Sequence, residues 1–201
     1  MAYIENTAFE ARITNNEFNE LCNVTGLFQT SGENDVCSAG FLCVRNGQLP
    51  NEGFPGVLNE NAWYMNAATA AANANDVIYA SNTYDNQLLG FGDNNYYIGR
   101  KTLGLPIPQG RRGTFTVIVF DNQHVYRFGE GNINGAVGEN TFFTIANGLL
   151  VPAAAAPTTV GALYFELRGT GNFVEGVRNS FGYYDLVARK VEAATAEDAT
   201  A

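Results

Sequence analysis

The sequence predicts an all-β protein, a barrel or sandwich of antiparallel hairpins with an N-terminal arm and at most one or two short helices. Rings are abundant, with 10 Tyr and 14 Phe among 201 residues, and aromatic and β-branched side chains suit a pleated, half-buried surface. Gly is plentiful at 22 residues, and Gly supplies the positive φ that tight turns demand. No helical period is sustained outside one alanine-rich segment, whereas alternating apolar and polar residues recur between turn signals.

In chain order, residues 1–35 hold Phe9, Ile13, Phe18 and Leu21 at irregular spacing among Asn and Glu. That pattern allows a short helix or an extended arm and is read as an arm, ordered by docking on its own or a neighbouring subunit. Ala39–Arg45 reads as a strand, Asn46-Gly47 as the turn after it, and Gln48–Asn61 as loop, with Pro50 and Pro55 inside it. Trp63-Tyr64-Met65 opens a run where alanines favour a helix and interspersed Asn and Thr oppose one, so both states stay open. Asp76–Ala80 and Tyr96–Thr102 read as short strands around a turn-rich connection, Ser81–Asn95. Leu105–Pro108 is extended, because each proline pushes its predecessor towards β or polyproline geometry.

The strongest strand signal is Gly113–Phe128, whose two arms flank Asp121-Asn122 and predict a β-hairpin. A second hairpin pairs Thr141–Ala146 with Leu149–Val151 through Asn147-Gly148, and Pro152 is expected to end it by removing a donor. Gly129–Asn140 is a glycine-rich connection. Val160–Arg168 alternates, with Leu163, Phe165 and Leu167 on one face and Tyr164, Glu166 and Arg168 on the other, and Phe181–Val191 is similar. The predicted organisation is an arm over 1–35, a single β body over 36–191 that could subdivide near residue 100, and a mobile tail over 192–201.

Formal charge is −9, from 11 Lys and Arg against 20 Asp and Glu. No basic stripe tracks a phosphate backbone, so nucleic acid is not an expected partner. The N-terminus lacks the basic start and apolar run of a signal peptide, and no stretch approaches about 18 uninterrupted apolar residues, which predicts a soluble protein with no membrane partner. Cys22, Cys37 and Cys43 with the lone His124 match no zinc spacing, so reduced thiols and neither metal nor cofactor are expected. Ser38 lacks the first glycine of a nucleophile elbow and has only His124 as a base, and Gly129-Glu-Gly131 lacks the Lys-Ser or Lys-Thr of a phosphate loop. No catalytic residues emerge, and the chain reads as a structural or binding protein. The rings of Trp63, Tyr64, Tyr96, Tyr97, Tyr183 and Tyr184 suit core, interface or sugar stacking. Arg111-Arg112 forms, with Arg100 and Lys101, the densest positive cluster, fit for an acidic partner surface or for a solvated turn.

Three stretches carry a likeness: Met1-Ala-Tyr3-Ile-Glu-Asn-Thr-Ala-Phe9, the block Thr102–Phe115, and Gly161–Gly176. In them the chain resembles the small β-rich head decoration, or capsid cement, proteins of tailed bacteriophages. That resemblance implies a virion protein on the capsid exterior, made in the host cytoplasm, often trimeric, that stabilises the shell by binding the major capsid protein. No functional residue carries over by position; the candidate capsid or subunit contacts, read from the arm and the basic cluster, are Tyr3, Phe9, Ile13, Phe18, Arg111 and Arg112. The acidic charge agrees with a position away from packaged DNA. Rival readings are a tail-tube, fibre or baseplate component, a carbohydrate-binding β module, and a β-fold hydrolase.

Overall fold

A computed structural model of the chain describes residues 4–12, 23–51, 57–69, 77–84, 106–120, 124–175 and 179–193. Strands β1 (Phe9–Arg12), β8 (Val125–Gly129), β9 (Phe142–Ala146), β10 (Leu149–Ala153), β11 (Leu163–Glu175) and β12 (Asn179–Lys190) build an open antiparallel sheet in the order β1-β8-β12-β11-β9-β10. Strands β2 (Asn23–Thr30), β3 (Glu33–Asn34), β4 (Leu42–Pro50), β5 (Leu58–Ala67), β6 (Tyr79–Tyr84) and β7 (Arg112–Val117) build the other, in the order β3-β2-β5-β4-β6-β7. Because β7 also pairs with β2, the strands β2, β5, β4, β6 and β7 close on themselves as a small barrel, with β3 attached to β2 as a short hairpin. The all-β prediction holds, in the form of a barrel packed on an open sheet. The chain leaves the open sheet after β1, builds the barrel, and returns at β8.

A barrel this narrow is filled by its own side chains. Phe28, Phe41, Cys43, Met65, Tyr79 and Phe115 are buried there together. Gly26 on β2 leaves them room, since a Cβ at that position would lie 2.5 Å from Met65 Cγ and 2.6 Å from the Phe115 ring. A second core joins barrel to sheet: Leu42, Ile78, Ala80 and Ile118 meet Phe9, Tyr126, Phe128, Phe143, Phe165 and Leu186. Along β4 and β6, neighbouring residues therefore enter different cores, Leu42 and Ala80 one, Cys43 and Tyr79 the other. Burial on both faces explains the unbroken apolar runs Phe41–Val44 and Ile78–Ala80 where these strands begin.

Four local expectations are corrected. Gly113–Phe128 is not a hairpin, because β7 pairs with β2 and β6 whereas β8 pairs with β1 and β12. Both arms are strands, but non-local edges outcompete the local turn. Asn46-Gly47 is no strand end: β4 runs through it with a register shift between Arg45 and Gln48, and Gly47 takes φ +83°, as a bulge requires. Pro152 does not stop its hairpin, since Pro152 pairs with Phe143 and Ala153 with Phe142. β10 is an edge strand, where proline's missing donor faces no neighbour. Residues 4–12 and 23–34, expected as part of an arm, supply β1, β2 and β3 instead.

Other expectations match closely. Asn147 and Gly148 sit at φ +49° and +78° between β9 and β10, the two positive values of a type I′ turn. Leu163 and Phe165 are buried while Tyr164 and Glu166 are half-buried on the other face. The Trp63 run resolves as strand β5 through Ala67. The strand expected at 96–102 and the tail from 194 lie outside the described residues.

Candidate functional site

β11 and β12 pair from Leu163↔Lys190 out to Glu175↔Asn179, far beyond the rest of their sheet. β9 reaches β11 only at Phe165 and Glu166, and the last link on that side is the Leu167 N–H donating to the Thr141 carbonyl at 2.8 Å. β8 meets β12 only over Tyr183–Val187. From Gly169 outward β11 has no second neighbour, and from Asn172↔Gly182 outward β12 has none either, so there the two strands form a ribbon with no third strand among the described residues. Its β11 side, Asn172–Glu175, spans about 10 Å at the usual rise per residue.

The face of the ribbon that continues the core changes character where the barrel stops covering it. Leu186 and Leu167 pair there, and after a register shift between Leu167 and Gly169 come the pairs Thr170↔Tyr184 and Asn172↔Gly182. Leu167 and Tyr184 still pack on the core, with Tyr184 tilted against Phe143 at 6.2 Å between ring centroids, whereas Thr170 and Asn172 are exposed. This polar floor, with walls from Glu130 and from Val137-Gly138, encloses an open groove of about 500 Å³. Groove and ribbon form the candidate site.

Glu130 is placed in the groove by a 3-10 turn, Glu130–Asn132, which Asn132 locks from behind. The buried Asn132 Oδ1 accepts from the backbone N–H groups of Ala8 and Gly129, both at 3.1 Å, and its Nδ2 donates to the Ala39 carbonyl at 2.7 Å. Gly129 and Gly131 allow residues 5–8 to lie directly on the turn: a Cβ would approach Asn6 O to 2.4 Å at the first and Glu5 O at 2.0 Å at the second. The Glu130 carboxylate accepts from Asn6 Nδ2 and from the Gly182 N–H, each at 2.9 Å. It is thus fixed against the ribbon.

The opposite face of the sheet carries a charge ladder across three strands. Glu10, Arg127 and Asp185 are register partners on β1, β8 and β12. Arg127 donates to both Asp185 oxygens, at 2.8 and 2.9 Å, and to Glu10 at 3.5 Å, and its guanidinium lies 3.6 Å from the centroid of Tyr183. The Asp185 hydrogen bonds raise the Arg127 pKa above its ordinary value, opposed by burial. A raised pKa keeps this contribution fully present below the ordinary guanidinium value and removes it only at more alkaline pH. Tyr183 is accommodated by Gly171, where a Cβ would come within 2.5 Å of the ring.

The residues singled out from sequence fall in different places. Phe9 is fully enclosed in the core between barrel and sheet, stacked on Tyr126 at 6.1 Å and tilted on Phe128 at 5.4 Å, so its side chain is not offered to another subunit. Its apolar character serves this chain's own interior. Tyr3, Ile13 and Phe18 lie outside the described residues. Arg111 is exposed just before β7, its N–H donating to Pro108 O at 3.0 Å, and Arg112 is half-buried at the start of β7. Of the aromatic set, Trp63 is covered by the Arg45 guanidinium at 4.3 Å, Tyr183 is covered by Arg127, and Tyr184 lines the groove. His124 is buried and stacked on Tyr126 at 6.3 Å. Among the described residues no group of three His, Cys, Asp or Glu is placed to hold a metal ion.

Glu130 and Asn132 were not singled out from sequence. The cue available was the Gly-Glu-Gly spacing, which signals close backbone approach as well as it signals a phosphate loop. No family model, curated protein or solved structure matches the chain.

Proposed function

We propose that this protein is a structural component of a tailed-phage virion that binds the outer surface of the capsid and reinforces the shell. The observation that carries the reading is the β11–β12 ribbon. An isolated two-stranded ribbon is marginally stable in water, and it gains stability when a third element packs on it. A body with two fused cores and one ribbon extending beyond them suits a clamp that anchors on one subunit and reaches the next. Repetition over a symmetric lattice then multiplies a modest contact into a large stabilisation.

The net charge of −9 supports an exterior position, since a lining for packaged DNA would gain from the opposite sign. Exposed Arg111 is a positive point on this acidic chain, suited to an acidic patch of the major capsid protein. A homotrimer around a threefold point is the assembly this reading favours.

Sedimentation of the protein with purified heads tests it. Intact protein should co-sediment, and a variant in which residues 174–180 are replaced by Asn-Gly should fold but stay in the supernatant. Arg111→Glu should weaken attachment, more so at low salt where surface charges are least screened. If the trimmed ribbon co-sediments as well as the intact one, the ribbon is not the clamp. If the intact protein stays in the supernatant, the capsid reading fails.

A further inference from the structure

The groove beneath the ribbon has the chemistry of a polyhydroxylated ligand, and we propose that it binds a neutral saccharide. At about 500 Å³ it lies within the range of small-molecule sites. Thr170, Asn172 and Tyr184 each present a side chain able both to donate and to accept, as a sugar hydroxyl does. None of the three makes a side-chain hydrogen bond to the described residues, so each is available to a ligand. Leu167 and Val137 add an apolar patch at the core's margin, where the C–H face of a pyranose ring would rest.

Glu130 sets the charge preference. Its two oxygens already hold Asn6 and Gly182, yet an ionised carboxylate has about four acceptor sites, so capacity remains for ligand hydroxyls. Such bonds to a charged acceptor are shorter and stronger than neutral ones. Glu130 is the one carboxylate among the lining residues, and no Lys or Arg lies there to balance it. Phosphate, sulfate and acidic sugars are therefore disfavoured by repulsion, and neutral sugars are not. Gly182 keeps the floor low beside the carboxylate: a Cβ there would sit 2.9 Å from Glu130 Oε2.

The inference does not depend on the capsid reading, since it concerns the isolated protein. An array of neutral oligosaccharides of glucose, galactose, mannose and N-acetylglucosamine, with sialylated and sulfated glycans beside them, tests it directly. Calorimetric titration of the best neutral glycan into wild type, Thr170→Ala and Asn172→Ala follows. Both positions are exposed, so the variants should keep the wild-type circular dichroism spectrum. The expected result is retention of neutral glycans and a loss of about tenfold in affinity in each variant, the worth of one good hydrogen bond to a ligand. Silence across the neutral glycans, preference for the anionic ones, or undiminished binding by both variants would each overturn the proposal.

Discussion

Asn132 is 1% exposed and ties together main-chain atoms that lie 124, 3 and 93 residues away. Replacing it with Ala strands the buried Ala8 N–H and the Ala39 carbonyl, each at about 1–3 kcal/mol when left unsatisfied, while the Gly129 N–H keeps its bond to the Ala8 carbonyl at 3.0 Å. Asn132→Ala should therefore lose at least about 2 kcal/mol, read as a lower urea midpoint with an unchanged slope. Cys43 gives a second residue-scale prediction. Burial, then a hydrogen bond with Cys37, pushes its thiol well above the ordinary value of 9.0. The unfolded chain ionises this thiol before the folded one does, so the stabilisation is whole below pH 9.0 and is lost as pH rises through the folded value. Stability should decline from pH 9.0 up to the folded value with a slope of at most about 1.4 kcal/mol per pH unit from this group, and Cys43→Ala should show the shallower decline. Asn147-Gly148 was legible in sequence because a type I′ turn depends on adjacent residues alone. Asn132 was not, because its partners are distant and its neighbours spell an ordinary loop.

At the scale of elements, composition identifies strands but not their partners. The arms of 113–128 are both strands, yet one closes the barrel and the other joins the open sheet, a choice made by edges elsewhere in the chain. The same limit explains Phe9, read as part of an arm because the strands that bury it come much later. β1 pairs with β8, register partner by register partner, from Phe9↔Phe128 to Arg12↔Val125. Phe9→Ala should accordingly destabilise the body by about 3–5 kcal/mol, as for other buried aromatic residues. The ribbon should behave in the opposite way. Trimming residues 174–180 to Asn-Gly removes segments that pair only with each other, so the thermal midpoint should move by no more than a few degrees. A stable Phe9→Ala protein, or a trimmed variant that unfolds, would contradict this division of labour. Of the candidate site, the inner parts of the two strands, up to Arg168 and from Phe181, and the residue types of Tyr183 and Tyr184 were legible; the extension of β11 through Gly169–Glu175 was not, since Gly169 and Gly171 interrupt the strand signal, and neither was the groove, since it forms only where the barrel ends.

For the whole molecule, barrel and sheet share one core, so neither should unfold alone. Trp63 lies on β5 of the barrel, and far-ultraviolet circular dichroism reads the strands of both. The two signals should trace a single urea transition, and separated midpoints would show two independent units. Pairing β1 with β8 across the intervening barrel demands long loop closure, a feature of slow folders. The proposed function also belongs to this scale, since in that proposal the chain works as one clamp repeated over a lattice. Imaging of intact virions by electron cryomicroscopy tests that claim most directly. The account predicts density for this fold on the outer face of the head, near threefold points, with the β11–β12 ribbon laid against a neighbouring subunit; the same fold resolved in the tail, or heads bare of it, would contradict the account.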